Sequence, residues 1–192
     1  LHGSLEQVSK NFNKTGSSTS PFLNTGVMID SKVYTIKTYP VYKGKEKPLR
    51  DILVDEKNVE EEFYVNNKDL KKWKYLKNSK QEERETKDGF KYNYSEGSMI
   101  FPDDLDKASR TIITGEGGSG PSRFKHVIAP PSNPKKLRRL TPIELERLNM
   151  FPDDHTKLEN VSNTKRAFLM GNALVVGVIK KLGDSLYNFY EQ

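Results

Sequence analysis

Residues 138–154 read RRLTPIELERLNMFPDD, and the TPIE inside this stretch marks the start of a helix. The Thr141 hydroxyl can cap the amide of Glu144, Glu144 completes a capping box, and Pro142 takes the first helical position, where no amide is needed. Leu145 and Leu148 give the short helix an apolar side. The stretch closes on Phe151-Pro152-Asp153-Asp154, a tetrapeptide that also ends MIFPDD at 99–104. The flanks of the two copies do not match, so they are no duplication. Each Asp pair has the carboxylates for a Mg²⁺ site or for acid and base work. Asp-Asp after Pro is, however, ordinary turn chemistry. His155 adds one further ligand, too little for a metal centre, and none is expected.

Downstream the helical period continues. Ser162 is placed to cap a second short helix ending at Gly171, and Asn172 is expected to open a third. Leu174, Val175, Val178, Ile179, Leu182, Leu186 and Phe189 form the apolar stripe of that third helix. Upstream the period is that of strands. Val27-Met28-Ile29 and residues 33–36 flank Asp30-Ser31 as two β-branched strands around a tight turn. Residues 90–94 alternate with period two, and 110–114 read as another strand. Residues 49–54 are a short apolar patch, and 55–62 are acidic. Asp69 is a candidate cap for a helix with Leu70, Trp73 and Leu76 at three-residue spacing. Pro130, Pro131 and Pro134 mark a linker ahead of the helical part. Residues 5–25, rich in Ser, Thr, Asn and Gly, read as an irregular lead-in, and His2-Gly3-Ser4 as the remnant of a recombinant tag. The class is α+β, strands first and helices last.

Composition narrows the function classes. A chain of 192 residues with 34% apolar and 30% charged side chains suits a globular protein with long loops, one medium domain or two small ones sharing a core. No apolar run approaches bilayer length, and residues 1–10 carry no signal-peptide pattern, so no membrane partner is expected. The chain has no cysteine, which excludes disulfides, Cys-ligated zinc and a cysteine nucleophile within it. The net charge of +6 is concentrated: residues 107–147 hold nine Lys/Arg against Glu116, Glu144 and Glu146, so this window carries the whole excess. Such a stretch suits a phosphate backbone, and equally a merely basic surface.

Inside that window, Gly115-Glu116-Gly117-Gly118-Ser119-Gly120 matches G-x-G-x-x-G after an expected strand. A dinucleotide site needs a helix to open there and hold the pyrophosphate, whereas residues 121–128 read as extended chain. A loop that lets backbone approach a ligand, flanked by Arg110, Arg123 and Lys125, fits better. A nucleotide-binding enzyme would require a helix starting at Pro121. Aromatics interleaved with lysine, in Trp73-Lys74-Tyr75 and in 90–94, have the composition to stack on unpaired bases. Their helix and strand periods point instead to core.

Taken whole, 138–154 resembles the ninth conserved motif of the cytosine-5 DNA methyltransferases. That motif runs R-x-L-T, then E-x-x-R-L, then F-P, and Arg138, Leu140, Thr141, Glu144, Arg147, Leu148, Phe151 and Pro152 fill it. Residues 165–176, KRAFLMGNALVV, are similar to the tenth motif, a Gly-Asn pair opening a helix. Thr111-Ile112 resembles the Thr-Leu/Ile/Val dipeptide of that family's target-recognition domain, and 48–53 with 61–64 resemble the stretch before it. The resemblance spans most of residues 21–183.

The resemblance implies a small β-rich target-recognition domain followed by C-terminal helices that would dock on a missing Rossmann-like catalytic domain. Segment 5–89 would be a lead-in and scaffold joining the halves, 90–136 the recognition region, and 137–192 the helical segment with both motifs. Arg110, Thr111, Ile112, Gly117, Gly118, Arg123, Lys125 and Arg138 would contact double-stranded DNA, with Thr111 and Ile112 beside a cytosine flipped out of the stack. Asn172, Ala173 and Leu174 would complete an S-adenosyl-L-methionine pocket. The family's phenylalanine-glycine loop, Pro-Cys nucleophile loop and Glu-Asn-Val motif have no counterpart here, and no catalytic residue is expected. What is implied is the C-terminal part of a DNA (cytosine-5-)-methyltransferase, inactive alone and partnered by an N-terminal catalytic half or subunit. Its setting would be the bacterial cytoplasm, on nucleoid DNA, in a restriction-modification system. The alternative is a stand-alone sequence-specific DNA-binding module.

Overall fold

Asp30 and Ser31 both adopt left-handed φ, 47° and 61°, the backbone that a two-residue hairpin turn matching the twist of its strands requires. The computed structural model describes residues 2–4, 6, 7, 10 and 23–191, so most of the expected lead-in lies outside the described residues. The chain divides into two units, Leu1–Lys45 and Glu46–Gln192. In the first, the Asp30-Ser31 turn pairs β2 (Thr25–Ile29) with β3 (Lys32–Ile36), from Ile29 opposite Lys32 to Thr25 opposite Ile36. Here the sequence expectation holds. β1 (His2–Ser4), the stretch read as a tag remnant and expected to add nothing to the fold, pairs with the other edge of β3 to give the antiparallel order β1-β3-β2. A ladder uses main-chain groups, so Gly3 and Ser4 serve it as well as larger residues would.

The second unit is organised around seven buried apolar side chains: Leu49, Ile52, Ile128, Leu140, Leu145, Ala167 and Met170. Segments 46–89, 90–136 and 137–192 all contribute to this one core. Leu49–Ile52, Glu56–Asn58 and Glu61–Phe63 are single 3₁₀ turns, and the first is pinned by Leu49 N and Arg50 N donating to Lys107 O and Leu105 O. α1 (Leu70–Lys77) buries Trp73 and Lys77. Asp69 stands at its N-cap but in helical backbone, φ −90° and ψ −9°, and its side chain makes no capping bond, because that bond needs an extended cap residue.

β4 (Lys80–Glu85) and β5 (Lys91–Glu96) form a two-stranded antiparallel ribbon, from Lys80 opposite Glu96 to Glu85 opposite Lys91. A lone ribbon with a KQEERE strand has no apolar face to offer. The core role expected of the aromatics therefore holds for Trp73 and fails for Tyr75, Phe90 and Tyr92, which are exposed. β6 (Val127–Ile128) and β7 (Arg138–Arg139) make a second ribbon. Pro130, Pro131 and Pro134 lie in the loop joining these two paired strands, so they turn the chain rather than separate domains. The strand expected at 110–114 joins no ladder.

α2 (Pro142–Leu148) carries the full capping box: Glu144 N donates to Thr141 Oγ1 at 3.3 Å, and Thr141 N donates to Glu144 Oε2 at 2.7 Å. α3 (Asn163–Asn172) is capped by Ser162, whose Oγ accepts from Lys165 N. Asn172 does not open the last helix. Its carboxamide donates to Phe168 O four residues back, which closes α3. α4 (Val176–Tyr190) begins after an extended Ala173 and Val175, and its first amide donates to Asn149 O at the end of α2. None of its residues is buried, so the apolar stripe stands open. No described helix is long and apolar enough to cross a membrane.

Candidate nucleic-acid interface

The basic window turns most of its charge inward. Arg110 forks onto Asp103 (2.7 and 3.1 Å) and donates to Phe124 O and Lys125 O. Arg123 donates to Leu76 O, Asn78 O and Gly97 O and pairs with Glu96, so it ties the end of α1 and the root of the β4–β5 ribbon to the segment leading into β6. Lys125 Nζ donates to Gly118 O and Gly120 O at 2.6 and 2.7 Å, and Arg139 donates to Gly117 O and Glu62 O. Arg138 is wholly buried between Glu144 and Glu56. Burial opposes its charge, but the two carboxylates outweigh that and hold its pKa above the ordinary guanidinium value. Arg147 clasps Asp153 and donates to Ile52 O and Leu53 O.

The glycine-rich loop is held the same way. Its carbonyls converge on Lys125 and Arg139, whereas a phosphate cradle needs converging amides, and no helix opens after Gly120. Glu116, the loop's one charge, is buried and accepts from the amide of His126 (3.0 Å) and pairs with its Nδ1 (2.9 Å). On the other side of the ring, His126 Nε2 lies 3.0 Å from Ser109 Oγ. Sequence reading missed this Ser109–His126–Glu116 chain. The available signal was a single carboxylate placed among glycines in a basic window.

Two glycines seat the loop on α3. A Cβ on Gly117 would lie 2.7 Å from Thr164 Cα, and one on Gly171 would lie 2.4 Å from the backbone of Thr114. Of the residues expected at DNA, Arg110, Arg123, Lys125 and Arg138 therefore have their charge committed to internal partners. Gly117 is pressed on α3, Gly118 is half-buried, and Ile112 packs on the core. Thr111 is exposed. Asn172, Ala173 and Leu174 run out from the end of α3: Ala173 leans on the core, while Asn172 and Leu174 are exposed. The paired aspartates have structural partners too: Asp103 holds Arg110 and Val127 N, Asp104 accepts from Asp106 N, Asp153 holds Arg147, and Asp154 holds Arg166. His155 stacks on Phe151. Among the described residues no group of three or more His, Asp or Glu could hold a metal.

Among the described residues Lys77 is strongly perturbed. Its ammonium donates to Lys125 O. Burial first, then the Arg110 and Arg123 charges, push its pKa from 10.5 down to about 8 against the pull of Asp103 and Glu116. The unfolded chain therefore holds this proton more tightly between about pH 8 and 10.5, and stability should rise with pH across that window by up to about 3 kcal/mol. Urea titrations at pH 7.5 and 10 check this. Lys77→Met should flatten the rise relative to wild type, and an equal rise in both would remove Lys77 as its source.

Residues 10–188 match the model of the C-5 cytosine-specific DNA methylases, and the chain belongs to that family. It is 41% identical over 165 residues to the type II methyltransferase M.Sau3AI of Staphylococcus aureus, a match that covers 86% of this chain and 38% of that protein. The chain thus spans well under half the length of this relative. The structure of the Entamoeba histolytica methyltransferase EhMeth shares its fold with a TM-score of 0.55 at 16% identity, covering 84% of this chain and 48% of that one.

Proposed function

We propose that this chain is the target-recognition and cofactor-closing part of a DNA (cytosine-5-)-methyltransferase, which binds duplex DNA and positions a flipped cytosine for methyl transfer. The observation that carries this reading is the contact of Gly171 with Thr114. It sets the recognition segment around Thr111 beside the Asn172-Ala173-Leu174 edge, some sixty residues away in sequence. Thr111 and Gly118 offer the base-facing edge, seated by Ile112 on the core and by Gly117 on α3. Arg110 and Lys125 stiffen it from behind, while Arg123 and Arg138 brace α1 and β7. Asn172 and Leu174, exposed with one polar and one apolar side chain, suit one wall of an S-adenosylmethionine site whose other walls lie outside this chain. That cofactor supplies the methyl group. The attack on cytosine needs a cysteine from another segment, because this chain has none. The open stripe of α4 is the surface on which that catalytic half docks, within a restriction-modification system.

The test is reconstitution. Mixed with a separately expressed cofactor-binding half, the chain should restore labelled methyl transfer from S-adenosylmethionine to cytosine in duplex DNA, and neither half alone should transfer. Sequence-specific binding without transfer in the mixture would replace this reading with that of a stand-alone DNA-binding module.

A further inference from the structure

Six of the nine cations of the basic window are turned onto internal acceptors, and a denser group of exposed cations lies outside it. From Lys68 to Lys80 there are six lysines against Asp69 alone. Lys77 is buried and Lys80 pairs with Glu96. The side chains of Lys68, Lys71, Lys72 and Lys74 are exposed, and none has a hydrogen bond or ion pair among the described residues. Lys57, Lys91, Lys107, Lys136, Lys157 and Lys180 by contrast find carboxylates, so what sets this segment apart is four unpaired cations within seven residues. At helical spacing Lys71 and Lys72 lie on the side of α1 away from the buried Trp73 and Lys77, Lys74 lies on its flank, and Lys68 stands in the turn just before the helix. The helix itself is stapled to the expected recognition region through its buried side and its end: Arg123 donates to the carbonyls of Leu76 and Asn78, and Lys77 to that of Lys125.

Resting on the reading that the chain binds duplex DNA, we infer that the lysine face of α1 is a phosphate-backbone contact, separate from the base-facing loop. Lys71 to Lys74 rise about 4.5 Å along α1, with Lys68 in the turn before it, and duplex DNA carries a charge about every 1.7 Å. The contact is sequence-independent and fixes orientation, while the Thr111 segment reads bases.

The variant Lys68→Gln/Lys71→Gln/Lys72→Gln/Lys74→Gln of the whole chain tests this on a duplex oligonucleotide titrated over salt. Each phosphate contact contributes about 0.9 to the slope of log affinity against log salt. The slope should therefore flatten by about three to four, and affinity at low salt should drop at least about tenfold. The matching quadruple Arg variant should keep both. A Gln variant that binds with wild-type slope and affinity overturns the lysine-face contact and leaves the DNA reading standing. Absence of duplex binding by the wild-type chain overturns both. Loss of binding to phosphatidylglycerol vesicles with duplex affinity unchanged would make the face a membrane contact and equally overturn the inference.

Discussion

Replacing Arg138 by methionine should destabilise the second unit by about 3–5 kcal/mol, a loss readable as a shifted midpoint in urea at unchanged slope. The side chain is fully buried. Its guanidinium donates to both oxygens of Glu144 at 2.9 and 2.8 Å, to Glu56 at 2.8 and 2.6 Å, and to the Arg139 carbonyl at 3.0 Å. Glu144 in turn accepts from the amides of Val54 and Thr141, so one buried ion pair joins the 3₁₀ segment, β7 and the start of α2. Methionine keeps the volume of the stem but leaves the Glu144 carboxylate buried without its counter-charge, the most expensive way to break such a pair. Adding Glu144→Gln to Arg138→Met should restore about 1–2 kcal/mol, because the two residues act as one unit. A single-variant loss under about 1 kcal/mol would show that the carboxylate reaches water or another donor.

The same pair shows what a sequence discloses. The capping box of α2 was legible because its parts lie three residues apart and cap chemistry is local. The hairpin at Asp30-Ser31 was legible for the same reason. Arg138 was legible as a member of a motif, but whether it faced phosphate or the interior depended on Glu56, 82 residues away. Arg110, Arg123 and Lys125 pose the same difficulty: their charge is plain in the sequence, yet its partners are backbone carbonyls and distant carboxylates that no window reveals. β4 was invisible because KQEERE has neither alternation nor apolar content and pairs only through its neighbour β5. The segment at 110–114 erred in the opposite direction. It has β-branched residues, but α3 rather than a strand lies against it. Local chemistry was readable where the cap residue has extended backbone, as at Thr141 and Ser162, and misread at Asp69, whose backbone is already helical; the motifs carried the family.

Gly171→Ala should cost about 1–3 kcal/mol and weaken duplex binding, although alanine in place of glycine within a helix ordinarily gains about 1 kcal/mol. The added methyl would sit 2.4 Å from both Thr114 Cα and Thr114 N and 2.6 Å from the Ile113 carbonyl carbon. Those are main-chain atoms, and Ile113 and Thr114 are tied through the Ile113–Glu116 turn bonds to the buried Glu116–His126 pair. They cannot swing aside as a side-chain tip can, so either α3 or the recognition segment has to shift. Gly177→Ala is the control, since its methyl would meet only the flexible end of Met150. That variant should stay within about 0.5 kcal/mol of wild type, or gain slightly. Thermal melts separate the two, and the salt-dependent duplex titration then reads the interface. If Gly171→Ala lowers the melting point but keeps both affinity and sequence preference, the Thr111 segment does not depend on its seat on α3. If both fall together while Gly177→Ala binds normally, the close approach of one glycine to one backbone positions the edge proposed to read DNA.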